Sequence, residues 1–231
     1  MTTIALSDYL SDFTDPDHVA APLGQWQGWD LAAFLAAWPD LHARALARLN
    51  HRIHPTAFVH PTAQIGPDVI IGHHAKVFEF SSVRGLTVVG AGASIGFNSE
   101  ITQCCIGEET VLGHRIGMNR TLVGSRAHLS AHVLAAAIHL TRDMRSPDRE
   151  VFTRTPGGLV RLRTPRFGAL IGDRVQSGAR ITLNPGCVIG RGTLLGTDVT
   201  VPPARMIPSG MRVTNPHSGH LHIAPPYRAG P

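Results

Sequence analysis

Aliphatic residues recur at every sixth position over most of this 231-residue chain. From residue 53 the chain divides into blocks such as IHPTAF, VHPTAQ, IGPDVI and IGHHAK, each starting with Ile or Val. The same period returns after residue 170 as IGDRVQ, SGARIT and LNPGCV. Six-residue periods are typical of β-helix solenoids. The pattern predicts that each block forms one short strand and one corner, that three blocks make a triangular coil, and that the lead aliphatic side chains stack inside it.

Glycine often follows the lead aliphatic residue, as in Ile65-Gly66 and Ile71-Gly72. Glycine adopts backbone angles that other residues avoid. We therefore expect these glycines to supply an unusual backbone conformation at the corners of the coil.

The six-residue period is interrupted in several places. It shortens to five residues after Ile101 and again after Met118, and it breaks near Leu140. Residues 140–168 hold seven arginines against three acids, with several prolines, which predicts a loop that leaves the solenoid. The predicted organisation is an N-terminal segment 1–52, a β-helix domain 53–206 with its loop at 140–168, and a C-terminal tail 207–231.

The N-terminal segment has helical rather than six-residue spacing. Apolar residues between Leu31 and Leu49 fall three or four positions apart, which predicts helix. Because Pro39 lies inside this run and proline disrupts a helix interior, we expect two short helices. We expect them to cap the first coil, whose strand edges would otherwise be exposed.

Arginine supplies most of the positive charge. Lys76 is the only lysine among 21 basic residues, and the formal net charge is +5. The guanidinium group pairs well with phosphate oxygens, which favours an anionic ligand, although a GC-rich genome would also raise the arginine fraction. The sequence has no basic helix with interleaved aromatic residues, so we expect no nucleic-acid partner.

Other features of the composition indicate the cellular location and the state of the cysteines. No apolar run reaches membrane-spanning length and no secretory leader is recognisable, so we expect a cytoplasmic protein without membrane contact. Cys104, Cys105 and Cys187 do not form a disulfide framework. We expect them to be buried as small apolar side chains.

Two long segments extend the pattern, GFNSEITQCCIGEETVLGHRIGMNRTLVG and RFGALIGDRVQSGARITLNPGCVIG. With the six-residue blocks, they resemble the hexapeptide-repeat acyltransferase superfamily. The resemblance is strongest, over roughly residues 65–205, to the acetyltransferase domain of bifunctional sugar-1-phosphate nucleotidyltransferases that are also glucosamine-1-phosphate acetyltransferases. It implies an all-β fold, a left-handed parallel β-helix, which departs from the usual right-handed crossover.

The resemblance also implies an activity. Members of this superfamily transfer an acyl group from acetyl-CoA or another acyl-CoA to a small amine, work as homotrimers with sites between subunits, and need no metal for transfer. The acceptor implied here is a modified amino sugar, an amino acid or an amine of specialised metabolism.

Three positions of the family's site are retained. Arg84 falls where the family contacts the acceptor phosphate, Glu100 lies at the family's spacing from it, and His114 falls on the catalytic histidine. Imidazole titrates near neutral pH, so the resemblance implies that His114 takes the proton of the attacking amine. The backbone N–H near Ala131 is the implied oxyanion donor. Alternatively, His114 is one of fourteen histidines and fills a corner.

Other positions depart from the family. Its acceptor-binding lysine is replaced by Thr102, its tyrosine by Gly117, and two asparagines by His128 and Ala137. A lysine that follows the family's Asn-Tyr-Asp-Gly motif is replaced by Arg166. These changes imply that the acceptor is not glucosamine-1-phosphate.

New polar groups stand in the same region. We hypothesise that His139 assists His114 or contacts the acceptor, and that Arg142 and Arg145 hold a carboxylate or a phosphate. The alternative is that these side chains are only solvated, as charged residues near loops often are.

By resemblance, coenzyme A lies along the C-terminal coils between two subunits. The small residues expected beside its pantetheine arm are Ser177, Gly178, Ala179, Gly196 and Thr197. Arg180, Arg191 and Arg205 are the arginines expected near its phosphates. Small residues are also what tight corners require, so both explanations stay open.

Two other readings remain. The γ-class carbonic anhydrases share the fold and bind zinc through histidines, and His128 with His132 would be the candidate ligands if they lay on adjacent turns. Alternatively, the chain is a non-catalytic β-helix that binds or assembles.

Overall fold

The computed structural model describes residues 3–14, 23–141 and 143–215 and the backbone of 222–224. A 3-10 turn, Leu6–Asp8, and the helix α1, Leu31–Arg48, precede the solenoid. The strands in chain order are β1 (Phe58–Val59), β2 (Gln64–Ile65), β3 (Ile70–Ile71), β4 (Lys76–Val77), β5 (Ser82–Arg84), β6 (Val88–Val89), β7 (Ser94–Ile95), β8 (Glu100–Thr102), β9 (Cys105–Ile106), β10 (Val111–Leu112), β11 (Gly117–Asn119), β12 (Leu122–Val123), β13 (His128–Leu129), β14 (Val133–Ala135), β15 (Phe152–Thr155), β16 (Gly158–Arg161), β17 (Ala169–Ile171), β18 (Gln176–Ser177), β19 (Ile181–Leu183), β20 (Cys187–Ile189), β21 (Leu194–Leu195), β22 (Thr200–Val201), β23 (Met206–Ile207), β24 (Arg212–Thr214) and β25 (His222–Ala224).

Parallel pairing arranges these strands as the three faces of a left-handed triangular prism. Face one runs β1-β4-β7-β10-β13-β18-β21-β24 and ends on β25, which pairs antiparallel to β24. Face two runs β2-β5-β8-β11-β14-β19-β22, and face three runs β3-β6-β9-β12-β17-β20-β23. The predicted all-β left-handed β-helix is confirmed.

The register reproduces the interruptions of the period. Phe58 pairs with Lys76, 18 residues on, as three six-residue blocks require. Ile101 pairs with Met118, only 17 residues on, because the corner between faces two and three is one residue shorter there. Val89 likewise pairs with Ile106.

The lead aliphatic residues line the prism interior, as predicted. Ile71, Val77, Val83, Val89 and Ile95 are all fully buried in one continuous core. Burial of such a side chain contributes about 1.5–3 kcal/mol relative to exposure. The inward row is therefore the main source of stability along the solenoid axis.

The expected role of the glycines is wrong. Gly66 and Gly72 do not have positive φ; the left-handed residues stand later in the corner, such as His74 at φ 56° and Asn98 at φ 54°. A Cβ on Gly72 would lie 2.6 Å from the backbone nitrogen of Ala91. Glycine is needed there because successive coils approach too closely for a side chain.

The N-terminal segment forms one continuous helix across the predicted break. Asp30 caps α1 by accepting hydrogen bonds from the N–H groups of Ala32 and Ala33. Pro39 lies inside the helix on its exposed side. The opposite side buries Leu31, Phe34, Trp38, Leu41 and Ala45, and this packing offsets the backbone hydrogen bond that proline removes.

Helix α1 does not sit over the end of the first coil. Its apolar side packs in one cluster with the outward side chains of face three, Ile70, Val88, Cys105, Leu122, Leu170 and Val188. The inward side chains of the first coil, Ile53, Val59 and Ile65, remain partly exposed. The helix therefore covers a face of the prism and not its end.

The loop at 140–168 also folds onto face three of its own chain. It contains the antiparallel hairpin β15–β16, which buries Val151, Val160 and Leu162 in the same cluster as α1. Thr153 donates from Oγ1 to the carbonyl of Gly186 at 2.8 Å. The hairpin thus packs against face three of its own chain. At the other end, parallel pairing continues past residue 206 through β24.

Candidate functional site

His114 lies at the corner between faces one and two, directly after β10, and its side chain is exposed. A groove of about 390 Å³ opens beside it on face one. The residues that line the groove include Gly113, His128, Ser130 and Ala131. The groove therefore joins three positions singled out from sequence: His114, His128 and Ala131.

The residues expected to hold coenzyme A continue along the same corner in successive coils. The N–H of His132 donates to the carbonyl of His114 at 2.9 Å, and the N–H of Arg180 donates to that of Ala131 at 3.0 Å. The N–H of Asp198 donates to the carbonyl of Ala179 at 3.0 Å. The corner is thus a straight ladder that starts at His114 and runs towards the C-terminal coils.

Small side chains along this ladder have two causes. A Cβ on Gly178 would lie 2.7 Å from the backbone nitrogen of Thr197, so glycine is required there whatever binds outside. A Cβ on Gly196 would have milder contacts, 3.2 Å from the carbonyl oxygen of Val213. Ser177 accepts a hydrogen bond from the N–H of Ser130 at 3.2 Å. Ser177, Ala179, Gly196 and Thr197 therefore form a shallow strip whose shape comes partly from stacking.

The residues expected to bind the acceptor are divided among several places. Arg84 and Glu100 form an ion pair between adjacent coils of face two, and both are exposed. Thr102 lies at the far end of that face, and within the described residues its buried Oγ1 has no hydrogen-bond partner. Arg166 lines a pocket at the corner between faces two and three, beside α1. Arg142 lies outside the described residues.

His139 does not lie beside His114 within one chain. His114 precedes face two, whereas His139 follows it, about 10–13 Å of strand away. The ring of His139 is buried with its centroid 6.2 Å from that of Phe152 on the hairpin. Burial, and secondly the charge of Arg149, lower the pKa of His139. These surroundings indicate that the His139 ring contributes to packing under the hairpin.

The arginines expected near the phosphates also separate. Arg180 lies on the corner ladder but is ion-paired with Asp198. Arg191 lies at the corner between faces three and one. There it forms an ion pair with Asp173 and donates a hydrogen bond to the carbonyl of Ser7, which holds the N-terminal segment. Arg205 lies beside β15 under the hairpin on face three. Only Arg180 is placed to meet a ligand on the ladder.

Aromatic residues of the groove were missed from sequence. Phe78 and Phe97 line it from the coils that precede His114, together with Glu79. Phe80 and Phe97 are 5.8 Å apart edge to face, and the guanidinium of Arg115 lies 5.9 Å from the Phe97 centroid. Their signal was present, because Phe78 and Phe97 both stand in the corner that follows a lead aliphatic residue of face one, in neighbouring coils.

His128 and His132 do not lie on adjacent turns as the zinc hypothesis required. They belong to the same coil, His128 in β13 and His132 beyond the following corner. Among the described residues, no group of three His, Cys, Asp or Glu side chains is close enough to share a metal ion. In the same part of the chain, no helix has the length and apolar character needed to span a bilayer.

Comparison with known proteins gives the following matches. Residues 48–145 match the family model described as GMPPB C-terminal domain. The chain is 32% identical over 124 residues to the uncharacterized acetyltransferase YaiX of Escherichia coli O6:K15:H31 (strain 536), covering 54% of this chain and 50% of YaiX. It is 28% identical over 127 residues to the bifunctional protein GlmU of Methanococcus vannielii, covering 55% and 29%.

Solved structures share the architecture only loosely. The crystal structure of the polySia-specific acetyltransferase NeuO is 14% identical, with a TM-score of 0.43, and the match covers 73% of this chain and 75% of that one. At this level the likeness carries no argument about function.

The matches also have a limited extent. The chain spans half or less of the length of the curated relatives described above. The family-model match covers the coils before residue 145, and the parallel coils from Ala169 onward lie outside it. By its repeat, its left-handed β-helix and these relatives, the chain is similar to hexapeptide-repeat acyltransferases, and its matched part is similar to part of the GlmU proteins.

Proposed function

We propose that this protein is an acyl-CoA-dependent N-acyltransferase that passes an acyl group, with acetyl as the first candidate, directly to a small amine. The observation that carries the proposal is the position of His114. Its exposed imidazole stands at the mouth of a groove and at the head of the ladder of small residues that runs along the same corner.

The chemistry needs a base and an oxyanion donor. The amine nitrogen attacks the thioester carbonyl carbon, and His114 takes the proton that the amine loses. The N–H of Ala131 has no partner among the described residues, and Gly113 leaves it uncovered, since a Cβ there would lie 3.1 Å from that nitrogen. This N–H would stabilise the tetrahedral oxyanion. The carbon–sulfur bond then breaks, and imidazolium returns its proton to the departing thiolate of coenzyme A.

A trimeric assembly would complete this site. In the described part of one chain, no side chain hydrogen-bonds the His114 ring, and the groove is open along one side. Apolar side chains are exposed on faces one and two, among them Phe80, Val111, Leu134 and Leu194. A second copy packed there would bury these side chains and form the other wall of the groove.

The acceptor would be an amino sugar or another small amine. The ion pair between Arg84 and Glu100 supports an acceptor with polar or charged groups, if face two is where it lies. Phe78 and Phe97 present aromatic surface at the end of the groove away from the small residues. The acceptor therefore differs from glucosamine-1-phosphate, whose family contacts are absent at Thr102, Gly117 and Ala137.

The test is the release of free thiol from acetyl-CoA in the presence of a panel of amino sugars, amino acids and simple amines. His114→Ala should lower the rate about 10²–10⁴-fold, the usual contribution of a general base. His74→Ala is the control, because His74 is also exposed at a corner of the solenoid but lies between faces three and one, away from the groove and from face two. It should change the rate by less than about threefold, since it lies outside the groove lining.

Calorimetry with acetyl-CoA separates a lost base from a lost site. His114→Ala should bind acetyl-CoA as the unaltered protein does. An equal rate in both histidine variants would remove His114 from the mechanism. Absence of binding heat in the unaltered protein would remove acyl transfer altogether and leave a non-catalytic β-helix.

A further inference from the structure

Two arginines meet at the corner between faces two and three, under helix α1. Arg120 and Arg166 line one small pocket there with Gln103, Thr164 and Trp38. This corner is the one at which the period shortens, and the loop returns to the solenoid beside it. The pocket lies on the far side of face two from His114.

The backbone fixes Arg120 on both sides. Its N–H donates to the carbonyl of Thr102 at 3.0 Å, and its own carbonyl accepts from Gly168 at 3.0 Å. Gln103 occupies the equivalent place in the preceding coil, and both residues have left-handed φ, 52° and 49°. The loop thus re-enters directly beside Arg120 and brings Arg166 against it.

Among the described residues, no acid pairs with either of the two positive charges. None of the ion pairs between described residues includes Arg120 or Arg166. The two arginines line the same small pocket. Burial, and secondly the charge of Arg166, lower the pKa of Arg120. Like charges brought together at a half-buried site oppose folding unless something neutralises them.

A buried donor without an acceptor points to the same place. Trp38 lines the pocket and is 1% exposed, and within the described residues its Nε1–H has no hydrogen-bond partner. A buried, unpaired N–H costs about 1–3 kcal/mol. The Gln103 amide can also donate, whereas the Thr164 hydroxyl already donates to the carbonyl of Arg166 at 3.3 Å. The lining of the pocket therefore offers two charged donors and two neutral ones, with no carboxylate.

We propose that this pocket is an anion site that takes a phosphate or carboxylate oxygen between Arg120, Arg166 and the indole N–H of Trp38. Its enclosed part, about 20 Å³, admits one water-sized group. One oxygen enters, and the rest of the anion remains at the mouth, where the arginine forks reach it. Arg166 thus belongs to a site away from the His114 groove of its own chain.

The proposal does not depend on acyl transfer. The same anionic chemistry could come from a small free anion, from a phosphate of coenzyme A or from an acidic acceptor. The alternative occupant is a single water molecule, which would satisfy Trp38 but would leave both charges unbalanced.

Thermal unfolding at rising inorganic phosphate, with ionic strength held constant by sodium chloride, tests the site. Binding to the folded state raises the midpoint with phosphate concentration. Arg120→Met and Arg166→Met should each weaken the apparent affinity about tenfold, the loss expected for one charge-assisted hydrogen bond. Arg163→Met is the matched control, because it removes one exposed charge from the same turn.

The readout is the phosphate-dependent shift and not the midpoint itself, so a less stable variant remains informative. Trp38→Phe, which removes the N–H and keeps an aromatic ring, should weaken phosphate binding without abolishing it. An absent shift in the unaltered protein, or equal shifts in all three arginine variants, would overturn the proposal in favour of a bound water or general screening.

A competition arm identifies the source of the anion. Coenzyme A that displaces phosphate, and whose own affinity falls in Arg120→Met but not in Arg163→Met, would assign the site to the cofactor. Acetate that reproduces the phosphate shift would extend the site to carboxylates. Phosphate that is displaced by neither would assign the site to a free phosphate or a phosphorylated acceptor.

Discussion

Faces one and three of this prism share the same inward row and differ in the outward one. On face three the outward residue is apolar in the coils from Ile70 to Val188, and helix α1 and the hairpin bury it. On face one the equivalent row reads, in order, Phe58, Lys76, Ser94, Val111, His128, Gln176, Leu194 and Arg212, and it stays open in a single chain.

The difference separates two tasks. The inward position builds the solenoid on every face, whereas the outward position decides whether that face is closed by the chain itself. On face three the cover adds a second buried layer, whereas the corner beyond face one stays exposed within a single chain. A substitution should therefore affect folding on one side and function on the other.

The largest effect on stability is expected at the centre of the cover. Trp38→Ala should lower the free energy of unfolding by about 3–5 kcal/mol, because a large ring packed between Phe34 and the outward side chains of face three leaves a cavity. Phe80→Ala is the counterpart on the open side, where the ring is 61% exposed, and should cost less than about 1 kcal/mol. Urea titration measures both.

Comparable losses in these two variants would contradict the division between the faces. A loss in Phe80→Ala that grows with protein concentration would instead sharpen it, because it would show that the open corner is closed by another copy.

The next effect is expected where the N-terminal segment is tied to the solenoid. Asp173 is buried and accepts hydrogen bonds from the N–H and hydroxyl of Ser11, at 2.8 and 2.7 Å, and from the N–H of Ser125 at 2.8 Å. Asp173→Asn would place an amide against donors and remove the partner of Arg191. The free energy of unfolding should fall by about 2–3 kcal/mol.

Asp198→Asn is the matched change on the open side. Asp198 pairs with Arg180, and both side chains are exposed, so its loss should leave the urea midpoint unchanged within error. If Asp198→Asn lowered the free energy of unfolding as much as Asp173→Asn, the open corner would contribute to stability despite its exposure.

Periodicity predicted what depends on local repetition. The stacked core from Ile71 to Ile95 follows from the spacing of single residues, and the shortened corners at Gln103 and Arg120 follow from a missing residue. A further signal was readable, because the residue before every third lead aliphatic is itself apolar, as Ile70 and Val88 show. That row predicts a covered face.

What depends on tertiary packing could not be predicted in this way. Pro39 predicts a break, but Trp38 and Leu41 bury the opposite side of α1 and hold the helix together. His139 and His114 belong to the same histidine-rich stretch of the sequence, yet the width of face two separates them in the structure. The meeting of Arg120 with Arg166 joins two positions 46 residues apart through the return of the loop, and no local pattern indicates it.

The smallest effect is expected from protons, and it too should divide the two sides. Burial is the main cause that lowers the pKa of His42 on α1, against the opposing influence of Asp68 and a hydrogen bond with the backbone of Thr87. Burial also lowers the pKa of His139 under the hairpin.

In the unfolded chain both rings titrate with a pKa of about 6.5. A depressed pKa means that the folded state favours the neutral ring, so its contribution to stability is complete above that value. The contribution is lost as the pH falls from about 6.5 through the lower folded value, because the unfolded chain then binds more protons. His42→Leu should flatten this part of the pH–stability curve measured by urea unfolding, whereas His132→Asn, at the exposed corner, should leave its slope intact. The reverse result would mean that protonation acts on the open corner and that the cover over face three is indifferent to it.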